Sequence, residues 1–149
     1  FGNDAACFVT GGLHSRLFIK DKRMELPILQ GKESTGANSI AIKNKKTCIV
    51  VGGDFNTPDS TYKNCVLTSD GGNTWNYPSI PPHGYRSCVE YIHKHQWISC
   101  GLNGVDISND DGYTWNWISK ESFNVCRKAK KGNGVFFAGG KGTIGRLID

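Results

Sequence analysis

Four short apolar runs, each closing on glycine, punctuate the chain: Cys7-Phe-Val-Thr-Gly-Gly12, Cys48-Ile-Val-Val-Gly-Gly53, Trp97-Ile-Ser-Cys-Gly-Leu102 and Val135-Phe-Phe-Ala-Gly-Gly140. Each is too short for a helix and has the length and β-branched or aromatic content of a strand. A second strand-like run follows two of them, Asn64 to Thr68 and Gly104 to Ser108. Each of these leads into a polar, glycine-rich turn and then a tryptophan. The pattern predicts antiparallel strands near 38–43, 47–52, 64–69 and 74–79, then near 86–92, 96–101, 104–109 and 114–119. Three more are predicted near 124–129, 134–139 and 143–148.

The turns are the strongest signal. Thr68-Ser69-Asp70-Gly71-Gly72-Asn73-Thr74-Trp75 and Ser108-Asn109-Asp110-Asp111-Gly112-Tyr113-Thr114-Trp115 both read [S/T]-x-D-x-G-x-T-W and lie 40 residues apart. That period suits one four-stranded blade of a β-propeller, and the motif is an Asp box. Turn chemistry accounts for its residues. Asp70 and Asp110 accept hydrogen bonds from their own turn, Gly72 and Gly112 take positive φ, and Thr74 and Thr114 bond back across it. Trp75 and Trp115 fill space between blades. The fold class is therefore all-β, a propeller segment of about four blades near 1–30, 36–80, 85–120 and 123–149. The middle two are expected to be complete. The first lacks its innermost strand and the last its outermost.

An open arc exposes an apolar face at each end, and repeat arrays normally end in polar caps. Neither Cys7-Phe8-Val9 nor Val135-Phe136-Phe137 is such a cap. The expectation is that a second chain, a second copy or an absent segment closes the ring, with β-strand addition supplying the missing outer strand.

Composition fits this picture. There are 19 Gly, four Trp and one Met, which argues against a helical bundle. No apolar run approaches the ~18 residues of a spanning helix. The net charge of +5 is mild and scattered, with short basic runs at Lys43–Lys46 and Arg127–Lys131, so no nucleic-acid partner is expected. Six cysteines occur without C-x-x-C spacing, so no zinc site is expected. Most sit in strand patterns as small buried hydrophobes. Cys88 and Cys100 belong to strands joined by one turn, and a cross-strand disulfide between them is an alternative reading. His93 and His95 flank Lys94 in that turn and read as a polar hairpin tip rather than a metal clip.

Beyond the boxes, Gly31-Lys-Glu-Ser-Thr-Gly-Ala-Asn-Ser39, Val51-Gly-Gly-Asp-Phe55, Pro82-His-Gly-Tyr-Arg-Ser-Cys-Val-Glu-Tyr91 and Phe123-Asn-Val-Cys-Arg-Lys-Ala129 carry a family resemblance. The sequence resembles the bacterial photosystem II assembly/stability factor-like Asp-box propellers, widespread in Bacteroidetes and loosely labelled "oxidoreductase". It is similar to their C-terminal half. The resemblance implies an exported, periplasmic or secreted protein and, from plant and cyanobacterial relatives, an assembly factor that holds a protein partner. No G-x-G-x-x-G fingerprint supports the oxidoreductase label, and no cofactor is expected.

In a propeller, the loops entering each inner strand share a face with those between the second and third strands. That face carries Glu33, Ser34 and Asn38, then Asp54, Phe55 and Asn56, then His83, Tyr85 and Arg86, with Asn103 and Lys141 in short loops. Arg86 is the leading candidate for a ligand contact, its planar fork suited to a carboxylate or carbonyl, with Tyr85 beside it. The other reading pairs Arg86 with Glu90 or a neighbouring blade. Arg127 stands at the matching level one blade on, under the same two readings. The leading function is a non-catalytic scaffold for a protein or peptide. A carbohydrate-binding or sialidase-like propeller is the alternative, and a structural subunit of a larger assembly is a third. Sialidases need a Tyr–Glu pair, whereas Glu90 and Tyr91 are adjacent on a strand and point to opposite faces.

Overall fold

The structure, a computed structural model, describes residues 6–148. Phe1–Ala5 of the first expected blade and Asp149 of the last lie outside them. Among the described residues thirteen strands form four antiparallel sheets in chain order, with one 3-10 turn at Gly140–Gly142. The first sheet holds β1 (Cys7–Thr10), β2 (Arg16–Ile19) and β3 (Lys22–Glu25). The second holds β4 (Thr35–Ile42), β5 (Cys48–Asp54) and β6 (Cys65–Thr68). The third holds β7 (Cys88–His93), β8 (Gln96–Gly101), β9 (Gly104–Ser108) and β10 (Asn116–Ser119). The fourth holds β11 (Val125–Lys128), β12 (Val135–Ala138) and β13 (Ile144–Arg146).

The sheets stack face to face, and their alternating side chains make three buried joints. On β5 and β6, Val50 and Val66 pack against the first sheet with Leu17, Leu26 and Ile28. Their neighbours Ile49, Val51, Cys65 and Leu67 pack the other way, against Val89 and Trp97 of the third sheet. Cys88, Ile98, Cys100 and Val105 then meet Phe123, Cys126, Val135 and Phe137 of the fourth. A strand between two such joints is apolar on both faces, which explains the unbroken apolar runs. The glycine that ends each run has a steric cause. A Cβ at Gly52, Gly101 or Gly139 would overlap the carbonyl oxygen of Gly36, Tyr85 or Ser122, and one at Gly11 would crowd that of Ala37.

The third sheet has the four strands expected of a blade. The second differs from expectation: its fourth strand shrinks to one bridge between Leu67 and Asn76. Two residues along, antiparallel register sets Pro78 opposite Cys65, and proline has no N–H to donate. The chain leaves the sheet there, and Ser79 and Ile80 bond to the Tyr113 carbonyl in the next blade. The first sheet contains no inner strand among the described residues, and the fourth no strand beyond β13. The free side of the fourth sheet leaves Ile144 80% and Ile148 87% exposed, with Phe136 also open.

Candidate functional site

The expected face is built on a rigid hub. Val105-Asp106-Ile107 places a carboxylate on β9 between apolar neighbours, where a buried charge needs a partner. The partner is Arg86, just before β7. Its side chain is 0% exposed and its guanidinium forms a buried ion pair with Asp106 Oδ2 through Nη2. Nε also donates to that oxygen (2.6 Å), Nη1 donates to the Tyr85 carbonyl (2.8 Å) and Asn103 Oδ1 (2.5 Å), and Nη2 to the His83 carbonyl (2.9 Å). All the donors of the fork are engaged within the protein. The expectation of a direct ligand contact through Arg86 is thus corrected: burial and a full set of acceptors make it a positioning residue. Its partner is Asp106 rather than Glu90.

The hub fixes the loops around it. Asp106 Oδ1 accepts the His83 N–H (3.1 Å). Asn103 Nδ2 bonds the Pro58 carbonyl (3.1 Å) and Asp59 Oδ1 (2.8 Å). Tyr85 N–H bonds the Pro58 carbonyl, and Asn64 Nδ2 ties down the Pro82 and Gly84 carbonyls at 2.8 and 2.7 Å. At the end of β5, Asp54 is buried. It accepts the Asn56 N–H (2.9 Å) and bonds to Ser34, and these bonds, the Asn56 one foremost, hold its carboxyl below the usual range. Asp54 is therefore a loop anchor, and Phe55 and Asn56 stand exposed beyond it.

What the face offers to solvent is aromatic and amide surface. Phe55, 50% exposed, meets half-buried Tyr85 edge-on at 6.4 Å. His83 stacks on Trp117 of β10 at 4.0 Å with planes 16° apart. Asn38 is exposed, with Nδ2 on the Arg86 carbonyl (3.3 Å). Burial pushes the Tyr85 phenol upward, so it stays neutral, able to donate and accept. Among the expected residues the structure brings together Asp54, Phe55, His83, Tyr85, Arg86 and Asn38. Sequence reasoning missed Asp106 and Trp117. The signal for Asp106 was a lone carboxylate in an apolar strand; Trp117 had none, because an exposed residue of an outer strand has no pattern to break.

Arg127 stands apart, 66% exposed on β11, 3.5 Å from Glu90 Oε2. The two help line a cleft of about 330 Å³ with Ile40, Ala41, Ile42 and Tyr91. Burial raises the Glu90 carboxyl, against the pull of Arg127. Tyr91 turns to the other joint, its ring 4.9 Å from Trp97 and its hydroxyl on the Lys94 carbonyl (3.3 Å). The carboxylates of Asp70 and Asp110 are taken up by hydrogen bonds within their own turns. Cys88 and Cys100 are directly opposite each other in the β7–β8 register, but both are free thiols in this structure, so the alternative of a disulfide between them is not what it shows. His95 Nδ1 contacts Asp111 Oδ2 at 2.5 Å. Among the described residues no group of three His, Cys, Asp or Glu is arranged to hold a metal ion, and no helix is long and apolar enough to cross a membrane.

No family model matches the sequence, and comparison with curated proteins gives no match. Comparison of folds does: a solved structure described as "YCF48 bound to D1 peptide" superposes with a TM-score of 0.62 at 13% identity, covering 97% of this chain and 49% of that one. The chain spans about half the length of that neighbour. With four sheets stacked in chain order and this likeness along nearly all its length, the chain has the fold of a β-propeller segment.

Proposed function

We propose that this protein is a non-catalytic scaffold that holds an extended protein or peptide segment across the loops 54–64 and 81–87 and the outer strand at Trp117. One observation carries the reading: exposed Phe55, His83 and Trp117 with half-buried Tyr85 make an aromatic shelf that rests on the Arg86–Asp106–Asn103 hub. Rigid aromatic surface binds with little ordering cost, and neighbouring amides such as Asn38 and Asn56 suit a peptide backbone. That the fold neighbour is described as bound to a peptide supports the same reading. The exposed Ile144 and Ile148 support closure of the arc by further blades, from a second copy or another chain. The family resemblance supports a location outside the cytoplasm.

The test is affinity capture with the native protein and its Phe55→Ala/Trp117→Ala variant, followed by titration of the captured segment. Loss of two shelf aromatics is expected to weaken binding at least about tenfold without changing the thermal midpoint. Unchanged affinity would sink the proposal. So would release of sugar from a fluorogenic glycoside panel that Glu90→Gln abolishes. Light scattering on the native particle checks closure: a stable monomer that leaves the fourth sheet bare speaks against it.

A further inference from the structure

Three cysteines that the proposed face does not use converge in the joint between the third and fourth sheets. Cys88 lies on β7, Cys100 opposite it on β8, and Cys126 on β11 of the next blade. All three are free and belong to one buried cluster. Cys100 faces Cys88 in the β7–β8 register, and Cys126 packs with both in the same cluster. Arg127 Nη1 donates to Cys88 Sγ at 3.0 Å. The neutral Cys88 thiol donates to the Cys126 carbonyl at 3.4 Å. Its sulfur also accepts from Arg127 and, at 4.0 Å, from the Ser39 hydroxyl. The Cys100 and Cys126 thiols, and then the Arg127 guanidinium, hold the Cys88 thiol far below the ordinary range despite burial. The other charged groups nearby leave this intact: Arg86 is paired to Asp106, Lys128 Nζ bonds the Ile92 carbonyl, and Glu90 faces Arg127 at 3.5 Å.

We infer that Cys88 is an oxidation-sensitive cysteine, and that a small peroxide joins it in a disulfide to one of its two neighbouring thiols. The Cys88 thiolate attacks one peroxide oxygen, the O–O bond breaks and hydroxide leaves, giving a sulfenic acid. The Cys100 or Cys126 sulfur then attacks Cys88 Sγ. The S–S bond forms, the S–O bond breaks, and the departing hydroxide takes up the thiol proton as water. Two thiols lose two electrons, and the peroxide is reduced to two waters. Arg127, 66% exposed, spans from solvent to the Cys88 sulfur, so the thiol lies one side chain from the surface. A link to Cys126 would staple the third blade to the fourth.

The experiment exposes the reduced native protein to equimolar hydrogen peroxide, blocks the remaining thiols by alkylation and maps the peptides by mass spectrometry. Cys48 and Cys65, whose thiols burial pushes up, are internal controls. The expected product lacks two hydrogens and links Cys88 to Cys100 or Cys126, with Cys48 and Cys65 still reduced. Arg127→Met should slow this reaction about tenfold by removing the charge that favours thiolate, and Cys88→Ser should abolish it. Since Cys88→Ser could disturb the core, the wild-type map alone is decisive. Cys88 left reduced, a link that omits it, or an unchanged rate in Arg127→Met would overturn the inference.

Discussion

In the turn at Thr68–Trp75 and the turn at Ser108–Trp115, the same side chains make the same bonds. Asp70 Oδ1 accepts the Thr74 N–H (2.9 Å) and the Thr68 hydroxyl (2.8 Å), and Oδ2 accepts the Thr74 hydroxyl (2.6 Å). Asp110 repeats this with Thr114 and Ser108 at 2.8, 2.9 and 2.6 Å. The surroundings differ. Trp115 is 3% exposed and donates Nε1–H to the Gly112 carbonyl (3.0 Å), whereas Trp75 is half-buried. A Cβ on Gly112 would overlap Ile49 of the preceding blade, while on Gly72 it would meet only the flexible end of Met24 at 3.4 Å. The turns differ in sequence at Ser69 against Asn109 and Asn73 against Tyr113, and, with the largest change of partners, at Gly71 against Asp111. Asp111 holds φ at 60° and is gripped by Lys43 Nζ (2.7 and 3.0 Å), His95 and Trp97 Nε1 (3.2 Å). The motif thus dictates a turn, and the neighbouring blade decides how much that turn matters.

The widest gap should come from the tryptophans. Trp115→Ala is expected to cost about 3–5 kcal/mol in urea unfolding, the usual range for a buried aromatic, and Trp75→Ala about half that. Equal losses would mean that the turn, not the joint, sets the contribution. Next, Asp111→Gly removes the bonds from three side chains but relieves a left-handed residue, so a net loss of about 1 kcal/mol is expected. Gly71→Asp, lacking the same set of partners, should be neutral or slightly harmful. A stabilised Asp111→Gly protein would show that strain outweighs the grip of Lys43.

The smallest difference concerns acid. Hydrogen bonds from Thr74 first, and then Thr68, lower the Asp70 carboxyl from its ordinary 3.8 to about 2. The Asp110 carboxyl is also lowered: burial opposes the shift, but Thr114 and Ser108 outweigh it. A depressed folded-state value means that each contribution is complete above the unfolded value and is lost as pH falls through the folded one. Stability followed by circular dichroism should therefore decline between about pH 4 and pH 2. Asp70→Asn and Asp110→Asn should each flatten that slope to a similar extent. A slope that only one substitution changes would contradict the equivalence of the two turns.

Much of the fold was legible because propeller blades repeat. The apolar runs ending in Gly52, Gly101 and Gly139 became β5, β8 and β12 within a residue or two, and turns follow β6 and β9 where the repeated pattern set them. The fourth strand of the second sheet was overread: Thr74–Ser79 alternates well enough, but Pro78 cannot join a ladder, and local pattern weighs less than a missing donor. At the site, residue types located the face through the order of loops. Their roles depended on partners distant in sequence. The partner of Arg86 was not legible because Asp106 lies twenty positions away, and Trp117 acquires meaning only beneath His83.

The glycine closing each apolar run sets a limit on how such a chain can grow. Gly11, Gly52, Gly101 and Gly139 each lie where another stretch of main chain leaves no room for a side chain. The next position differs from blade to blade: Leu102 stands where the other copies have a second glycine, while a Cβ at Gly53 would press on the Tyr85 backbone. A repeat of this run can therefore exchange its last residue in one blade and not in another, whereas the atom-sized vacancy one residue earlier has to be inherited unchanged in all of them.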